Sequence, residues 1–288
     1  MKKTVAVLFA LAAVALAPIA QAEPAQKLVV ALKPDKNPEQ MLNERKALAA
    51  FLGEKLGREV EVIVPLSSAV ILEGFANGTI DLGYLSAADV VNGDDAPKIL
   101  LAGEINGQTS YKSYWVALKD KPYGKVEELR GKPVAFSSKT STSGFIIPLL
   151  DLHQKGLVDE SGDPEKFFGK GNVWYGSGYV SAVERVLAGE AEAAAISYYV
   201  LDKEKHLTPE QRAQLKKVAE QGPVPTHVIA VRQSLPEAEQ TKLAEVLKGM
   251  DGGEAGELRD KVFTSKLVEV DPEQHLAPLR EAMKLIKK

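Results

Sequence analysis

The chain alternates short apolar segments with amphipathic ones, and this alternation restricts its possible folds more than any other feature. Residues 28–32 form an apolar run typical of a buried strand, and residues 39–56 carry apolar side chains at helical spacing. A strand-like segment at 60–64, a helix-like segment at 67–76 and another strand-like segment at 80–85 follow. This βαβαβ order predicts an α/β fold in which a mostly parallel sheet is flanked by helices.

Two further strand-like segments, at 99–102 and 114–118, precede a polar, turn-rich stretch at 119–125. After this stretch the alternation begins again, with strand-like segments expected at 133–136, 173–175, 193–197 and 227–231 and helices from about 142 and at 179–187. Two such units predict two lobes: lobe 1 from residues 23–118 plus 226–288, and lobe 2 from the inserted residues 119–225. Two lobes joined by two hinge crossings leave a cleft that is a natural ligand site.

The first 22 residues read as a signal peptide. Lys2 and Lys3 precede an apolar run at 5–17, and Ala20-Gln21-Ala22 supplies a small-x-small cleavage pattern before Glu23. The run is shorter than the ~20 apolar residues that a membrane span needs. The chain has no cysteine, which excludes disulfides and a lipid-modified N-terminal cysteine. We therefore predict a periplasmic protein that is not a lipoprotein and not membrane-inserted, with full secretion as the alternative, and we expect a monomer.

The charge balance argues against nucleic acid as a partner. The formal net charge is −3, and loss of the two signal-peptide lysines makes it more negative, with no basic stripe elsewhere. An anionic ligand would have to be attracted locally, by oriented amides and hydroxyls. The four histidines are scattered without metal-ligand spacing, so neither a metal nor a cofactor is expected.

Small polar side chains follow several of the predicted strands. Each of them taken singly is more simply explained as a helix cap or turn residue. In an open parallel sheet, however, ligands bind outside the carboxyl ends of the strands, where one cleft would collect these side chains. The group comprises Ser68, Tyr84, Ser86, Ser141, Thr142, Ser143, Tyr179, Ser197 and Tyr198.

The most informative of these clusters is Ser141-Thr142-Ser143-Gly144, here called the serine turn (residues 141–144). It lies between a strand-like and a helix-like segment, where first-turn amides lack intrahelical partners and the helix dipole is positive. Hydroxyl donors at such a position can hold a tetrahedral oxyanion. An ordinary N-cap is the alternative explanation.

Enzyme signatures are weak. The chain has no Gly-x-Ser-x-Gly elbow, no Ser-x-x-Lys, no phosphate-binding P-loop and no Gly-x-Gly-x-x-Gly. We therefore predict that it is not an enzyme. A secreted phospho-ester hydrolase, with a base within reach of Ser141 or Ser143, is the alternative from the enzyme class.

Residues 27–232 resemble the phosphate/phosphite/phosphonate-binding proteins of ABC importers. The most specific match runs from the serine turn to Pro148, and supporting matches lie at 81–84, 111–114, 119–120, 127–132, 186–189 and 193–196. The resemblance implies a periplasmic binding protein with the type II two-lobe fold, which delivers its ligand to an inner-membrane permease and its ATPase. It also implies that Ser141, Thr142 and Ser143 hold the PO₃ oxygens and that Tyr84 lines the same pocket.

Several wall positions depart from the family pattern. Ser68 stands where a tyrosine is common, Tyr179 replaces a histidine, Val180 replaces an acidic residue, and Ser197 replaces an aspartate or asparagine. The loss of acidic residues argues against an amine-bearing ligand. Ser68, Ser86, Tyr179, Ser197 and Tyr198 are expected to form the pocket wall.

The sequence thus predicts a solute-binding protein of an ABC importer that takes a phosphonate, phosphite or phosphate between its lobes. A receptor that reports the oxyanion to a membrane histidine kinase is the alternative within the binding class.

Overall fold

The computed structural model describes residues 27–33, 41–91, 97–203, 206–263 and 265–286. The predicted signal peptide and cleavage point lie outside these residues. Within the described ranges, no helix is both long enough and apolar enough to cross a membrane.

Strands and helices alternate along the chain, as the apolar pattern predicts. The strands are β1 (Leu28–Ala31), β2 (Val60–Ile63), β3 (Leu82–Leu85), β4 (Lys98–Glu104), β5 (Ser110–Leu118), β6 (Val134–Phe136), β7 (Val173–Tyr175), β8 (Ala193–Ser197), β9 (Leu215–Pro225), β10 (Val228–Val231) and β11 (Lys266–Val268). The α-helices are α1 (Leu42–Leu56), α2 (Ser68–Asn77), α3 (Ile147–Gln154), α4 (Glu165–Phe168), α5 (Tyr179–Leu187), α6 (Tyr198–Asp202), α7 (Pro209–Ala213), α8 (Glu237–Lys248), α9 (Gly253–Val262) and α10 (Pro272–Ile286). A 3₁₀ turn (Val126–Leu129) and a π-helical turn (Thr142–Ile146) complete the set.

The strands form two sheets, of order β11-β4-β10-β3-β1-β2 and β7-β6-β8-β5-β9. Parallel pairing joins β1 to β2 and β3, and β6 to β7 and β8. The remaining pairs are antiparallel, so each sheet is mixed, with a parallel part that the sequence pattern anticipated. The strands β5 and β10 each begin after a short crossing, at the edge of the sheet where the parallel strands end. Both therefore run antiparallel to those strands.

Sheet membership shifts the expected lobe boundary. Residues 110–118, grouped with lobe 1 by the sequence pattern, form β5 and pair with β8 and β9 in the five-stranded sheet. Trp115 of β5 is fully buried there, against Phe136 and Phe168. The outgoing crossing is therefore the segment 105–109, and the return crossing lies between β9 and β10.

The C-terminal helix α10 makes a third connection between the two sheets. It follows β11 of the six-stranded sheet, yet it packs against α3, β9 and the π-helical turn. Leu276 and Leu279 belong to an apolar cluster that also contains Ile71 from one unit and Phe136 from the other. The assignment of this helix to lobe 1 alone does not describe its packing, because its apolar face is buried on the other lobe.

Thr226 joins the two crossings. Its Oγ1 lies 2.6 Å from the carbonyl oxygen of Gly103 and 2.9 Å from that of Thr109, and its own carbonyl lies 3.2 Å from Nε2 of His275 on α10. The two crossings and α10 thus all contact this residue.

Candidate functional site

The candidate site lies at the carboxyl edge of the five-stranded sheet. The serine turn follows β6, and Ser197 ends β8 beside Ser113 of β5, with which it is in register. Tyr179 begins α5 and Tyr198 begins α6 at the same edge. The parallel pairing of β6 with β8 therefore brings together side chains that are more than fifty residues apart.

The serine turn opens a helix whose first turn is π-helical and continues directly into α3. Both Phe145 and Ile146 donate their amides to the carbonyl of Ser141, and Ile147 donates to Thr142. The next donor in this register would be Pro148, which has no N–H. The carbonyls of Ser143 and Gly144 consequently receive tertiary donors: Ser113 Oγ at 2.5 Å and the Ser137 amide at 3.0 Å.

Gly144 is required by close packing. A Cβ at this position would overlap Cβ and Oγ of Ser137, which is fully buried and bonded to the Ala195 carbonyl. The turn is therefore pressed directly onto the end of β6, and its three hydroxyl residues have fixed positions relative to the sheet.

The three hydroxyls of the serine turn have different surroundings. Ser141 Oγ accepts a hydrogen bond from the Gly144 amide at 3.0 Å, so the N-cap explanation is correct for this side chain. Ser143 is fully buried, with its Oγ 2.6 Å from the Tyr179 hydroxyl and 3.5 Å from that of Tyr111. Thr142 is 7% exposed, and its Oγ1 has no hydrogen-bond partner among the described residues.

Two more buried polar atoms near this edge lack partners within the described part of the chain. They are Ser197 Oγ, on a fully buried residue, and Oε1 of Gln221 on β9. A buried polar atom without a partner loses about 1–3 kcal/mol of hydrogen bonding that water would provide. Such atoms at one sheet edge indicate a place prepared for a polar ligand or water.

Tyrosine phenols dominate the electrostatics of the edge. Burial raises the pKa of Tyr111 well above its usual range, and neighbouring Tyr179, Tyr84 and Tyr198 raise it further, against the opposing hydrogen bond to Ser143. Burial, followed by Asp202, also raises the pKa of Tyr198. Tyr111 and Tyr198 therefore stay protonated as neutral donors, and the site can hold an anion without a cationic side chain.

The remaining predicted residues lie at the carboxyl edge of the six-stranded sheet. Tyr84 is buried, and its hydroxyl donates to the Phe263 carbonyl at 2.8 Å. Ser86 Oγ donates to Asp89 at 2.6 Å, and Ser68 is half-buried at the first position of α2. Their assignment to the ligand pocket remains a prediction.

Sequence reasoning did not identify Tyr111, Ser113 and Gln221 as site residues. Tyr111 and Ser113 lie two residues apart on β5 and so share a face, a spacing that the sequence displays. Gln221 has no local signal, because only the pairing of β9 with β5 brings it to Ser113.

A second unpredicted pair lies beside Tyr84. Lys33 Nζ is 3.3 Å from Nε2 of His227, whose ring centroid is 5.3 Å from that of Tyr84. Burial, and then the Lys33 charge, lower the pKa of His227 to about 3. Among the residues that the structure describes, no group of three histidines or carboxylates could hold a metal ion.

Known proteins resemble this chain in sequence and in fold. The model of a family described as ABC transporter, phosphonate, periplasmic substrate-binding protein matches residues 30–275. The phosphate-import protein PhnD of Mycolicibacterium smegmatis is 26% identical over 184 residues, which are 62% of this chain and 57% of that protein. The chain thus spans little more than half the length of this relative.

Two solved structures share the type II periplasmic binding protein fold with this chain. PhnD1 from Prochlorococcus marinus, in complex with methylphosphonate, has a TM-score of 0.73 at 19% identity, covering 91% of this chain and 99% of its own. XAC2383 from Xanthomonas citri, bound to ATP, has a TM-score of 0.74 at 19% identity, covering 91% and 97% respectively. At this level of identity the similarity establishes the fold alone.

Proposed function

Because the chain belongs to the family of periplasmic phosphonate substrate-binding proteins of ABC transporters, we propose that it binds a small phosphorus oxyanion at the serine turn. The ligand is a phosphonate, phosphite or phosphate. The observation that carries this proposal is Thr142 Oγ1, which is buried in the first turn of the helix and has no partner among the residues that the structure describes.

The ligand oxygens accept hydrogen bonds from neutral donors. These are the hydroxyls of Thr142, Ser143 and Tyr179 together with the first-turn amides of the helix, whose dipole adds positive potential. Each hydrogen bond to a charged group contributes roughly 1.5–3 kcal/mol. Several of them converging on one anion supply the ~8 kcal/mol that micromolar binding requires.

The wall disfavours a ligand that carries an amine. Val180 is exposed and apolar next to Tyr179, and the hydroxyl of Tyr179 is already turned to Ser143. An ammonium group on the ligand would find no carboxylate at either position. A small alkylphosphonate or an inorganic oxyanion fits these neutral surroundings better.

Binding is coupled to movement of two lobes, each built around one of the sheets. The segments 105–109 and 226–227 join the carboxyl edges of the two sheets and serve as hinges, so closure covers the serine turn with the edge that carries Tyr84 and Ser86. The loaded protein then docks on an inner-membrane permease driven by its ATPase.

Hydrolysis by Ser143 is disfavoured by its partners. The described groups within hydrogen-bond distance of its Oγ are two phenols, and the pKa of one of them, Tyr111, is raised further by burial. A general base for serine needs a pKa near the working pH. The site therefore suits reversible binding, without covalent chemistry.

Thr142→Val provides the sharpest test, because valine keeps the shape of threonine and removes only the hydroxyl, which has no partner within the described part of the chain. We expect the free protein to be as stable as the parent or more so, whereas calorimetric affinity for the bound oxyanion falls about 10- to 100-fold. The titrations use phosphate, phosphite and methylphosphonate at two pH values.

Thr140→Val is the matched control. Thr140 is exposed just before the turn, and its hydroxyl contacts only Ser138 in the described structure. This variant should keep the parental affinity. If the parent protein shows neither heat nor thermal shift with any of the three anions, the proposed ligand class is wrong.

A further inference from the structure

The carbonyl of Ser143, in the π-helical turn, accepts its hydrogen bond from a side chain of strand β5. Pro148 leaves it without the amide that the π-helical register would supply, and Ser113 Oγ takes the vacant place at 2.5 Å. Ser113 is fully buried, so water does not compete for this bond. The orientation of the Ser143 peptide is therefore set by β5 rather than by the helix.

The number of hydrogens on Ser113 Oγ determines how Gln221 bonds to it. Ser113 Oγ has one hydrogen, which the short bond assigns to the Ser143 carbonyl, with the Ile196 carbonyl farther away at 3.2 Å. Gln221 lies 2.8 Å away and must therefore donate with its Nε2. Its Oε1 then points elsewhere, in agreement with the absence of a partner for that atom among the described residues.

The hydrogen-bonded pair Ser113 and Gln221 connects the serine turn with the return crossing between the lobes. Gln221, Ser113 and Ser197 are in register on three neighbouring strands, β9, β5 and β8, and share one face of the sheet. Gln221 is 2% exposed, and β9 leads from it to Pro225 and Thr226. The row therefore joins the serine turn to the strand that enters the hinge.

We propose that Ser113 and Gln221 are positioning residues for oxyanion binding, with Ser113 holding the Ser143 peptide and Gln221 orienting the Ser113 hydroxyl. The proposal rests on the proposed function. Both act through the serine turn, because they orient the Ser143 hydroxyl and the first-turn amides towards the oxyanion.

The test compares Ser113→Thr with Ser113→Val. The two variants add the same bulk to a buried site and differ only in the hydroxyl. The ratio of their affinities therefore reports the effect of the hydrogen bond alone. We expect Ser113→Val to bind phosphate or methylphosphonate about tenfold more weakly than Ser113→Thr in calorimetric titrations. Hydrogen exchange at the amides of the serine turn should be faster in Ser113→Val.

A double variant separates positioning from stability. Ser113→Val leaves Gln221 Nε2 buried without an acceptor, and adding Gln221→Met removes that unpaired group. The double variant should regain thermal stability relative to Ser113→Val while its affinity stays low, since the Ser143 carbonyl still lacks its donor. Gln221→Met alone should weaken binding less than Ser113→Val does.

The outcomes are distinguishable. If the parent protein binds none of the anions, the proposed function fails. If the parent protein binds but Ser113→Val and Ser113→Thr have equal affinities, the positioning role is refuted. The positioning role would also be refuted if the double variant regained both affinity and thermal stability. Affinity would then depend only on how well the buried site is packed.

Discussion

Three adjacent hydroxyl residues perform different tasks in the serine turn. Ser141 caps the helix, Ser143 contacts Tyr179, and Thr142 keeps its Oγ1 without a described partner. The sequence could predict the group, because small hydroxyl residues before a helix are a local signal. It could not predict the division of roles, which depends on what the sheet brings to each side chain.

At the same scale, Gly144→Ala should disrupt the turn. The added methyl overlaps Ser137, which its bond to Ala195 holds in place, so we expect a loss of about 1–3 kcal/mol in the free energy of unfolding and weaker oxyanion binding. Urea denaturation and calorimetry measure the two effects.

Gly124→Ala is the control for this prediction. A Cβ at Gly124 would meet open space and its φ is not positive, so stability should be unchanged or slightly higher. Equal stability of both alanine variants would show that the turn is not pressed against β6 as described.

At the scale of the element, Pro148 explains why a π-helical turn opens α3. Its missing amide frees the carbonyls of Ser143 and Gly144, which then bind Ser113 and the Ser137 amide. Single π-helical turns inside helices are frequent at functional sites. The helix itself was predictable from its apolar spacing, whereas the π turn needs donors from two strands distant in sequence.

Pro148→Ala should therefore weaken binding without unfolding the protein. The restored amide competes for the same two carbonyls and draws the turn towards α-helical geometry. We expect a several-fold loss of oxyanion affinity, roughly 1 kcal/mol by the usual conversion, with an unchanged or higher melting temperature.

Pro278→Ala is the matched helix control. Pro278 lies inside α10 rather than in the serine turn or α3, so its replacement restores an amide in a helix that carries none of the proposed ligand donors. If Pro148→Ala binds as tightly as Pro278→Ala, the π turn has no role in binding.

At the scale of the whole molecule, two of the elements that join the sheets each carry a histidine: His227 lies in the return crossing and His275 on α10. The pKa of His227 is lowered to about 3 by burial and then by Lys33, and burial lowers that of His275 against its opposing bond to the Thr226 carbonyl. Both are neutral in the folded protein at pH 7, whereas the unfolded chain takes up protons below about pH 6.5.

Acidification should therefore destabilise the fold. Between about pH 6.5 and pH 3 the unfolded state binds more protons than the folded state, so the free energy of unfolding falls as the pH falls. His227→Gln keeps an acceptor for Lys33 and does not titrate. We expect its loss of stability between pH 7 and pH 4, measured by urea denaturation, to be smaller than that of the parent.

The loss of stability is measured within each protein, between the two pH values, so the effect of the substitution on packing cancels. His275 remains in the variant, so part of the pH dependence should persist. An identical pH dependence of stability in both proteins would mean that the pKa of His227 does not differ between the folded and unfolded states.

The sequence by itself determined the α/β alternation, the family and the serine turn, because each is recorded in residues adjacent along the chain. Only the tertiary structure assigned β5 to the second sheet, packed α10 across both lobes, and brought Ser113 and Gln221 to the Ser143 carbonyl. The physical reason is that strand pairing and side-chain hydrogen bonds join residues of any separation, whereas local patterns record only which face of an element is buried.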